Sequence, residues 1–286
     1  MNSVRSVFSI CIQNFRKWAT DYRMWTIAVL LAVMTFIFAD DVRKNAAVLS
    51  LDVSMWIFPL LYLSRYMKLV YTLPVVLMFS DAPFIDKNQT FVMMRTTRLK
   101  WLCGQILYII AASAVYYLFI FLLSVLSTVF ISDFSFDWGG TFYSLAYGSV
   151  SMPDNVMKVE VPKIIVEFFS PIQACFFTFL MSWLAAIFLG IIIFFFNLVT
   201  QNRYIGIVFS FAFVVWAFMV KDTFGLVRYL KISPISWNTL ENIDVGGLTP
   251  YPTFTYCVSV LVGLILLLIV GIFVFGRKKN LGFWNP

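Results

Sequence analysis

The chain has 286 residues, of which 61% are hydrophobic and only 12% are charged, with a net charge of +7 and no histidine. Soluble domains carry about 45–50% apolar and about 25% charged residues, so this composition excludes a water-soluble enzyme and favours lipid as the solvent. The lack of histidine excludes Ser-His-Asp triads and HExxH sites, and four cysteines without a CxxC pair indicate neither a zinc site nor a disulfide framework.

Residues 1–24 are predicted to form an amphipathic helix in the membrane interface. Apolar residues recur at steps of three and four from Val4 to Tyr22, and basic residues flank this stripe. An apolar stripe with basic flanks and a tryptophan is typical of a helix lying on a membrane. A solvated leader without a mechanical role is the alternative. The interface-helix residues are Phe15, Arg16, Lys17 and Trp18.

Six segments are long and apolar enough to be read as membrane spans, each of which needs about 20 residues. They are 25–39, 55–79, 101–131, 172–199, 205–220 and 256–275. Pro171 is expected to divide the apolar run over 164–199 into an interfacial lead-in and a span. The sequence therefore predicts an all-α integral membrane protein with six transmembrane helices in a single domain, 1–286.

The basic residues predict the orientation of these spans. Twelve of the 21 Lys and Arg residues and three acidic residues fall on the side of the N-terminus, whereas the opposite side has seven basic and eleven acidic residues. Because basic residues concentrate in cytoplasmic loops, both termini are expected in the cytosol. The positive charge thus reflects orientation, and no nucleic-acid partner is expected. The first apolar run starts only after residue 24, which disfavours a signal peptide.

The loop over 81–100 is the largest predicted cytosolic connection. It carries four consecutive apolar residues, 91–94, between charged flanks. Such a knob is typical of a helix that docks in a groove of a partner protein, and a helix lying on lipid headgroups is the alternative. The outer loops, 132–163 and 221–254, are too short for a folded domain and suit short helices or re-entrant segments, with a passive connection as the alternative.

Charged and polar residues inside spans need a physical account, because a charge at the bilayer centre costs at least a few kcal/mol. Arg65 and Lys68 share a helical face; they face the protein interior or, if 55–63 is an interfacial helix, lie among headgroups. Glu167 is a candidate partner for one of them. Gln173 and Asn197 are expected to be interhelical hydrogen-bond partners. These five are the candidate pathway or intramembrane polar residues.

No catalytic site is predicted. Paired carboxylates can perform acid–base chemistry, but Asp40 with Asp41, and Asp133 with Asp137, fall in predicted outer loops, where solvated carboxylates are common. The chain contains no GxxxxGK[ST] motif for nucleotide phosphates. We therefore expect no enzyme activity in this chain, and any ATP would be used by another subunit.

This layout resembles the permease subunit of a type V ABC exporter, of the ABC-2-type transporter family. Residues 81–83 (DAP) with 95–101 (RTTRLKW) are similar to the family's loop with a basic residue before span three. Residues 229–234 (YLKISP) are similar to its outer segment before span six, and Gly104 stands where the family has a glycine in span three. The resemblance covers the layout of the whole chain.

The resemblance implies a dimer of two permease subunits, either identical or different, with two cytosolic ABC ATPases that bind ATP and Mg; this chain itself holds no cofactor. It implies export of a hydrophobic or amphipathic substrate, with a peptide or small antimicrobial favoured, across a bacterial cytoplasmic membrane by alternating access. A scaffold or sensor subunit and an ion-coupled secondary transporter are the alternatives. The implied coupling-helix residues are Phe84, Asp86, Phe91, Val92, Met93, Met94, Arg95 and Arg98.

Overall fold

The computed structural model describes residues 3–85, 96–129, 132, 135–148, 152–153, 156–220, 226–247 and 249–278. Within these ranges the chain is helical, and no β-strand occurs. The α-helices of the described residues are α1 (Ser3–Lys17), α2 (Tyr22–Leu49), α3 (Arg65–Met78), α4 (Arg98–Thr128), α5 (Gly139–Tyr147), α6 (Lys163–Phe168), α7 (Pro171–Thr200), α8 (Ile205–Val220) and α9 (Phe254–Lys278). Short 3₁₀ helices cover Phe58–Tyr62, Leu226–Ile232, Pro234–Asn238 and Leu240–Asn242.

Four of these helices, α2, α4, α7 and α9, are long and apolar enough to cross a membrane. They have 28, 31, 30 and 25 residues, which exceeds the roughly 20 residues that a bilayer core requires. The remaining two predicted spans correspond to shorter helices, α3 with 14 residues and α8 with 16 residues. The chain thus has the helices expected of a multi-pass membrane protein.

Helix α2 is longer than the predicted span 25–39, and the prediction that Asp40 and Asp41 lie in an outer loop is wrong. Both carboxylates are on the last turns of α2, which continues to Leu49. Asp40 forms ion pairs with Arg43 and, at 2.7 Å, with Lys44. Because these partners lie one turn further along the same helix, the charges support the helix instead of ending it.

The predicted second span, 55–79, is not one helix. A 3₁₀ helix with a proline near its start covers Phe58–Tyr62, and α3 begins only at Arg65. Ser64 between them has an extended backbone, with φ −70° and ψ 134°. The interruption places Arg65 and Lys68 in the first turn of α3, at the end of a helix instead of the middle of one.

Helix α7 begins at Pro171, and a capping box holds its first turn. The Ser170 hydroxyl accepts from the Gln173 backbone N–H at 3.4 Å, and the Gln173 side chain accepts from the Ser170 N–H at 3.1 Å. The lead-in before this cap contains the six-residue helix α6. The other parts of the predicted outer loops that the structure describes contain α5 and three 3₁₀ helices.

The interior of the bundle is built around α7, which is the most buried of the four long helices. Gly190 makes this packing close, since a Cβ at this position would lie 2.7 Å from Ile109 and 2.8 Å from Phe79. Small residues at such crossings let helices approach where lipid provides no hydrophobic driving force. Polar contacts add to the packing: Tyr116 donates to the Tyr71 carbonyl at 2.8 Å, and Trp183 donates to the Ile110 carbonyl at 2.9 Å.

Side-chain contacts divide the bundle into two ends. At the first, which we call the elbow end, the α1–α2 turn meets the end of α3, the start of α4 and the α7–α8 turn; Gly276 near the end of α9 lies against Leu102 and Leu198. At the second, the distal end, the Asn45 amide donates to the Met157 carbonyl at 2.8 Å, and Thr239 donates to the Tyr62 carbonyl at 2.9 Å. Both described chain ends therefore lie at the elbow end.

Candidate functional site

The elbow end contains a polar cavity of about 290 Å³. It lies beside Phe84 and Ile85, immediately before the segment 86–95, which is outside the described residues. Among the described residues that line it, three have basic side chains and two have acidic ones. The lining residues are Asn14, Lys17, Trp18, Asp21, Arg23, Met24, Met78, Asp81, Phe84, Ile85, Tyr108 and Arg203.

Arg23 joins the start of α2 to the end of α3 across this cavity. Its guanidinium pairs with Asp21, the residue that caps α2, at 3.0 Å, and it also pairs with Asp81 beyond α3. It donates in addition to the Ser80 hydroxyl at 3.3 Å. Charge-assisted bonds are stronger than neutral ones, but the side chains of Arg23 and Asp81 are 41% and 54% exposed, so solvent screens the pair that joins the two helix ends.

Helix α1 is docked on α4 through buried polar groups. The Asn14 amide donates to the Gln105 side-chain oxygen at 2.6 Å, and both residues are buried. Lys17 donates to Asn14 at 2.9 Å, and the Trp18 indole donates to the Tyr108 hydroxyl at 2.7 Å. These bonds fix the end of α1 against α4.

The predicted interface helix is therefore only half available to a membrane surface. One face packs on α4, where Phe15 contacts the Tyr108 ring edge-on at 5.2 Å, and Trp18 lies just after the last residue of α1. The opposite face exposes a stripe of Val4, Phe8 and Ile12. Arg16 is exposed.

The Phe84 ring is half-buried, packs on neighbouring aromatic rings and lines the polar cavity, and its role as a docking residue for a partner stays a prediction. Its ring lies edge-on to Tyr108 at 4.9 Å and to Phe79 at 6.4 Å. Its backbone has φ 60° and donates to the Asp81 carbonyl at 2.7 Å, which closes a tight turn. Arg98 is the first residue of α4. The other predicted coupling residues, Asp86, Phe91, Val92, Met93, Met94 and Arg95, lie outside the described residues.

Asn197 connects this turn to the neighbouring helices. Its amide nitrogen donates to the Ala82 carbonyl at 2.8 Å, and its oxygen accepts from the Gly206 N–H at 2.8 Å. Gly206 permits the close approach, since a Cβ there would lie 2.5 Å from the Ile193 carbonyl oxygen. One side chain thus links the end of α7, the start of α8 and the turn that leads into segment 86–95.

The other candidate intramembrane residues do not line this cavity, and among them only Arg65 and Lys68 share a space. Lys68 is buried, and Arg65 lies over the rings of Tyr66 and Phe218 at 4.9 and 5.5 Å. Both residues line a space of about 10 Å³ together with Val214, Ala217 and Phe218 of α8.

Glu167 does not pair with Arg65 or Lys68. It accepts from the Tyr147 hydroxyl at 3.0 Å, and this hydrogen bond raises the pKa of Tyr147. The expectation that Gln173 is an interhelical partner is also wrong, because Gln173 caps its own helix.

Several residues of the elbow site were not predicted as site residues: Asn14, Asp21, Arg23, Asp81, Gln105 and Tyr108. The sequence offered one indication of this site, namely Gln105, since an amide near the start of an apolar helix requires a hydrogen-bond partner. The Arg23–Asp81 pair had no such signal, because 58 residues separate its members.

Comparisons with known proteins found no match for this chain. No protein-family model, no curated protein and no solved structure matches the chain.

Proposed function

We propose that the chain is the permease subunit of an ATP-driven ABC exporter that moves a hydrophobic or amphipathic substrate, preferably a peptide or small antimicrobial. One observation carries the proposal. The segment 86–95 leaves from a turn that Asn197 and the Phe84 ring hold in place, and the chain continues into α4, on which α1 is docked. A force applied to this segment is therefore delivered to α3, α4 and α1 together.

The mechanism follows from this connection. A pair of cytosolic ATPases, which bind ATP and Mg, closes on the segment 86–95. The closure moves the joined helices as a rigid body, as in other domain-level transitions. A second permease subunit completes the translocation path, and the substrate leaves at the interface between the two subunits.

Six membrane passes with both termini in the cytosol form part of the proposal. Helices α2, α3, α4, α7, α8 and α9 alternate between the elbow and distal ends, which supports this topology. The basic residues of the elbow end, including Arg16, Lys17 and Arg203, support placing that end in the cytosol of a bacterium.

Two alternatives make different predictions. A scaffold or sensor subunit would function without an ATPase, and it leaves the apolar knob at 91–94 without a role. An ion-coupled transporter usually has carboxylates or broken helices near the membrane centre. In the four long helices of the described chain the acidic residues are Asp40 and Asp41, near the end of α2, so the carboxylate criterion favours the exporter over an ion-coupled transporter, whereas the break at Ser64 does not distinguish the two.

The first test is purification of the chain from its native cells in mild detergent, with mass spectrometry and an ATPase assay. We expect a P-loop ATPase at about one copy per permease. Recovery of the chain without an ATPase or ATPase activity would contradict the exporter.

The second test separates docking from general damage. We expect the double variant Phe91→Asp and Met93→Asp to uncouple ATP hydrolysis from transport, because two charges would enter the proposed apolar contact. Phe136→Asp with Met157→Asp is the matched control, since these are exposed residues of the same types at the distal end. Normal transport by the first variant would contradict the coupling assignment.

A further inference from the structure

The outer part of the second predicted span lies deep in the bundle although it is not α-helical. Residues 57–63 are all buried and follow α4 inward from its distal end. The Met55 carbonyl accepts from the Thr128 hydroxyl at 3.4 Å, whereas the centre of the Tyr62 ring lies 6.4 Å from that of Tyr117. Thr128 and Tyr117 are eleven positions apart on α4, so the chain descends about 16 Å between these contacts at 1.5 Å per residue.

A second segment, 233–240, is buried beside the first. It contains a 3₁₀ helix and packs against α7 and α8. The Thr239 hydroxyl donates to the Tyr62 carbonyl at 2.9 Å and so joins the two segments, which we call the distal pair. Backbone that is not α-helical is found at membrane depth only where protein covers it or where it lines a water-filled cavity. The distal pair therefore needs either a permanent cover or access to water.

Each segment of the distal pair buries a polar group that no hydrogen bond satisfies. Within the part of the chain that the structure describes, the Tyr62 hydroxyl and the Asn238 amide nitrogen have no partner, although both residues are at most 1% exposed. The Ser182 hydroxyl of α7 lies close to that of Tyr62 without a hydrogen bond of normal geometry. A helical serine can turn to a carbonyl of the preceding turn, whereas the hydroxyl at the tip of a tyrosine ring cannot.

Water would satisfy the groups that the closed distal pair leaves without bonds. A buried polar group without a partner loses its hydrogen bonds to water and regains them when water returns. Separation of the two segments breaks the bond from Thr239 to Tyr62 but brings both unsatisfied groups to water. The Tyr116 hydroxyl differs, because it is buried and already donates to the Tyr71 carbonyl at 2.8 Å. Hydration therefore favours opening at Tyr62 and not at Tyr116.

The path for water leads to the distal end. Toward the elbow end, the Tyr62 ring packs on the Tyr71 ring at 5.6 Å, and the Tyr71 hydroxyl is hydrogen-bonded to that of Thr35 at 3.0 Å, which joins α3 to α2. Further inward the helices are in close contact, since a Cβ on Gly190 would lie 2.8 Å from the Phe79 ring. Helix packing thus closes the inner side, whereas the two non-helical segments lie on the distal side.

We infer that the distal pair is a gate: segments 57–63 and 233–240 separate and admit water from the distal side to the Tyr62 hydroxyl. The same movement brings water to Asn238 and Ser182. The gate belongs to this chain alone and requires neither an ATPase nor a substrate. Its test is therefore independent of the proposed transport function.

Cysteine labelling of the full chain in lipid nanodiscs measures the opening. We expect Ser182→Cys to react with a small, water-soluble methanethiosulfonate, and mass spectrometry distinguishes this label from any on the native cysteines. Ser113→Cys is the matched control and should react severalfold more slowly. Ser113 is as buried as Ser182, but its hydroxyl donates to the Ile109 carbonyl at 2.8 Å, and it lies four positions further inward on α4 than Tyr117.

A pair of threonine variants tests whether the bond between the segments holds the gate closed. Thr239→Val removes this bond and should speed the labelling of Ser182→Cys severalfold. Thr249→Val removes a hydroxyl that donates to Asp244 at 3.0 Å in a distal turn outside the gate, and it should leave the labelling rate unchanged.

A pair of tyrosine variants tests the driving force. Tyr62→Phe removes an unsatisfied hydroxyl from the closed form, so it should raise the thermal midpoint and slow the labelling of Ser182→Cys. Tyr116→Phe removes a hydroxyl that is bonded in the closed form, so it should lower the midpoint.

Several outcomes would overturn the gate. Equal labelling of Ser182→Cys and Ser113→Cys would show that water does not reach Ser182 selectively, and equal acceleration by the two threonine variants would indicate general loosening of the distal end. A midpoint lowered by Tyr62→Phe would show that this hydroxyl has a partner in the closed form. If Ser182→Cys does not fold, Thr178→Cys replaces it, because Thr178 lies one turn nearer the distal end of α7 and its hydroxyl is also unpartnered within the described chain.

Discussion

Amide side chains make the decisive connections at the elbow end. An amide offers both a donor and an acceptor, so one buried Asn or Gln can join two elements in apolar surroundings. Asn14 and Gln105 join α1 to α4, and Asn197 joins α7, α8 and the turn at Ala82. The hydrogen-bond partners of Asn197 are a backbone carbonyl and a backbone N–H, which side-chain substitutions at Ala82 and Gly206 do not remove.

We predict that Asn197→Ala lowers stability by about 2–4 kcal/mol, because it leaves a buried carbonyl and a buried N–H without their partner. The measurement is the thermal midpoint in detergent, which should fall by about 5 °C or more. Gln13→Ala, at an exposed position of α1, is the control and should change the midpoint little. A midpoint for Asn197→Ala equal to that of the control would show that these bonds contribute little.

The sequence predicts the role of a polar side chain only where its hydrogen-bond partner lies a few residues away in the chain. Ser170 and Gln173 have the S-x-x-Q spacing of a capping box, so the role of Gln173 was available before the structure. The partners of Asn197 were not, because the Ala82 carbonyl is 115 residues away. The contact between the Phe84 ring and Tyr108 was likewise not readable, because Tyr108 belongs to another helix.

At the scale of helices, the docking of α1 depends on one glycine of α4. A Cβ at Gly104 would lie 2.8 Å from Ile10 Cβ and 3.2 Å from the Val7 carbonyl oxygen. Neither neighbour is the end of a flexible side chain, so α1 would have to move away from α4. This movement would also separate Asn14 from Gln105.

We predict opposite effects for the same substitution at two helical glycines. Gly104→Ala should destabilise by about 1–3 kcal/mol through overpacking. Gly263→Ala, on α9 with open space around it, should stabilise by up to about 1 kcal/mol because alanine favours a helix. Thermal unfolding of both variants beside the unsubstituted chain gives the comparison; two changes of the same sign and size would show that α1 is not closely docked.

Hydropathy predicted that apolar helices exist but placed some of their ends wrongly. Hydropathy placed the end of the first span at residue 39, whereas α2 continues for ten more residues to Leu49. This extension contains the ion pair between Asp40 and Lys44. Hydropathy also merged the 3₁₀ helix at Phe58–Tyr62 with α3. Hydropathy reports the free energy of transferring side chains from water to an apolar medium. An interruption of the helix near Ser64 changes this transfer free energy very little, so hydropathy does not detect it.

At the scale of the whole molecule, the alternation of helices predicts that the two ends of the bundle face opposite sides of a membrane. We predict that a cysteine at Met157, 72% exposed at the distal end, reacts with a membrane-impermeant maleimide in intact cells. A cysteine at Asn202, exposed in the α7–α8 turn, should react only after the membrane is permeabilised.

The unsubstituted chain is the blank for this experiment. Cys11, Cys175 and Cys257 are buried and Cys103 is half-buried, so the native background should be low. Reaction of both introduced cysteines from the same side of the membrane would contradict the six-pass topology.

The sequence by itself determined the solvent of this protein and its helical class, because both depend on composition and on short-range periodicity. It also located the long apolar helices, since about 20 apolar residues suffice to cross a bilayer. Only the tertiary structure decided that α1 docks on α4, that Arg23 joins α2 to α3, and that Asn197 joins the end of α7 to the turn at Ala82. These features come from contacts between residues 58 to 115 positions apart, and the pattern of apolar residues along each helix does not specify which helices pack together.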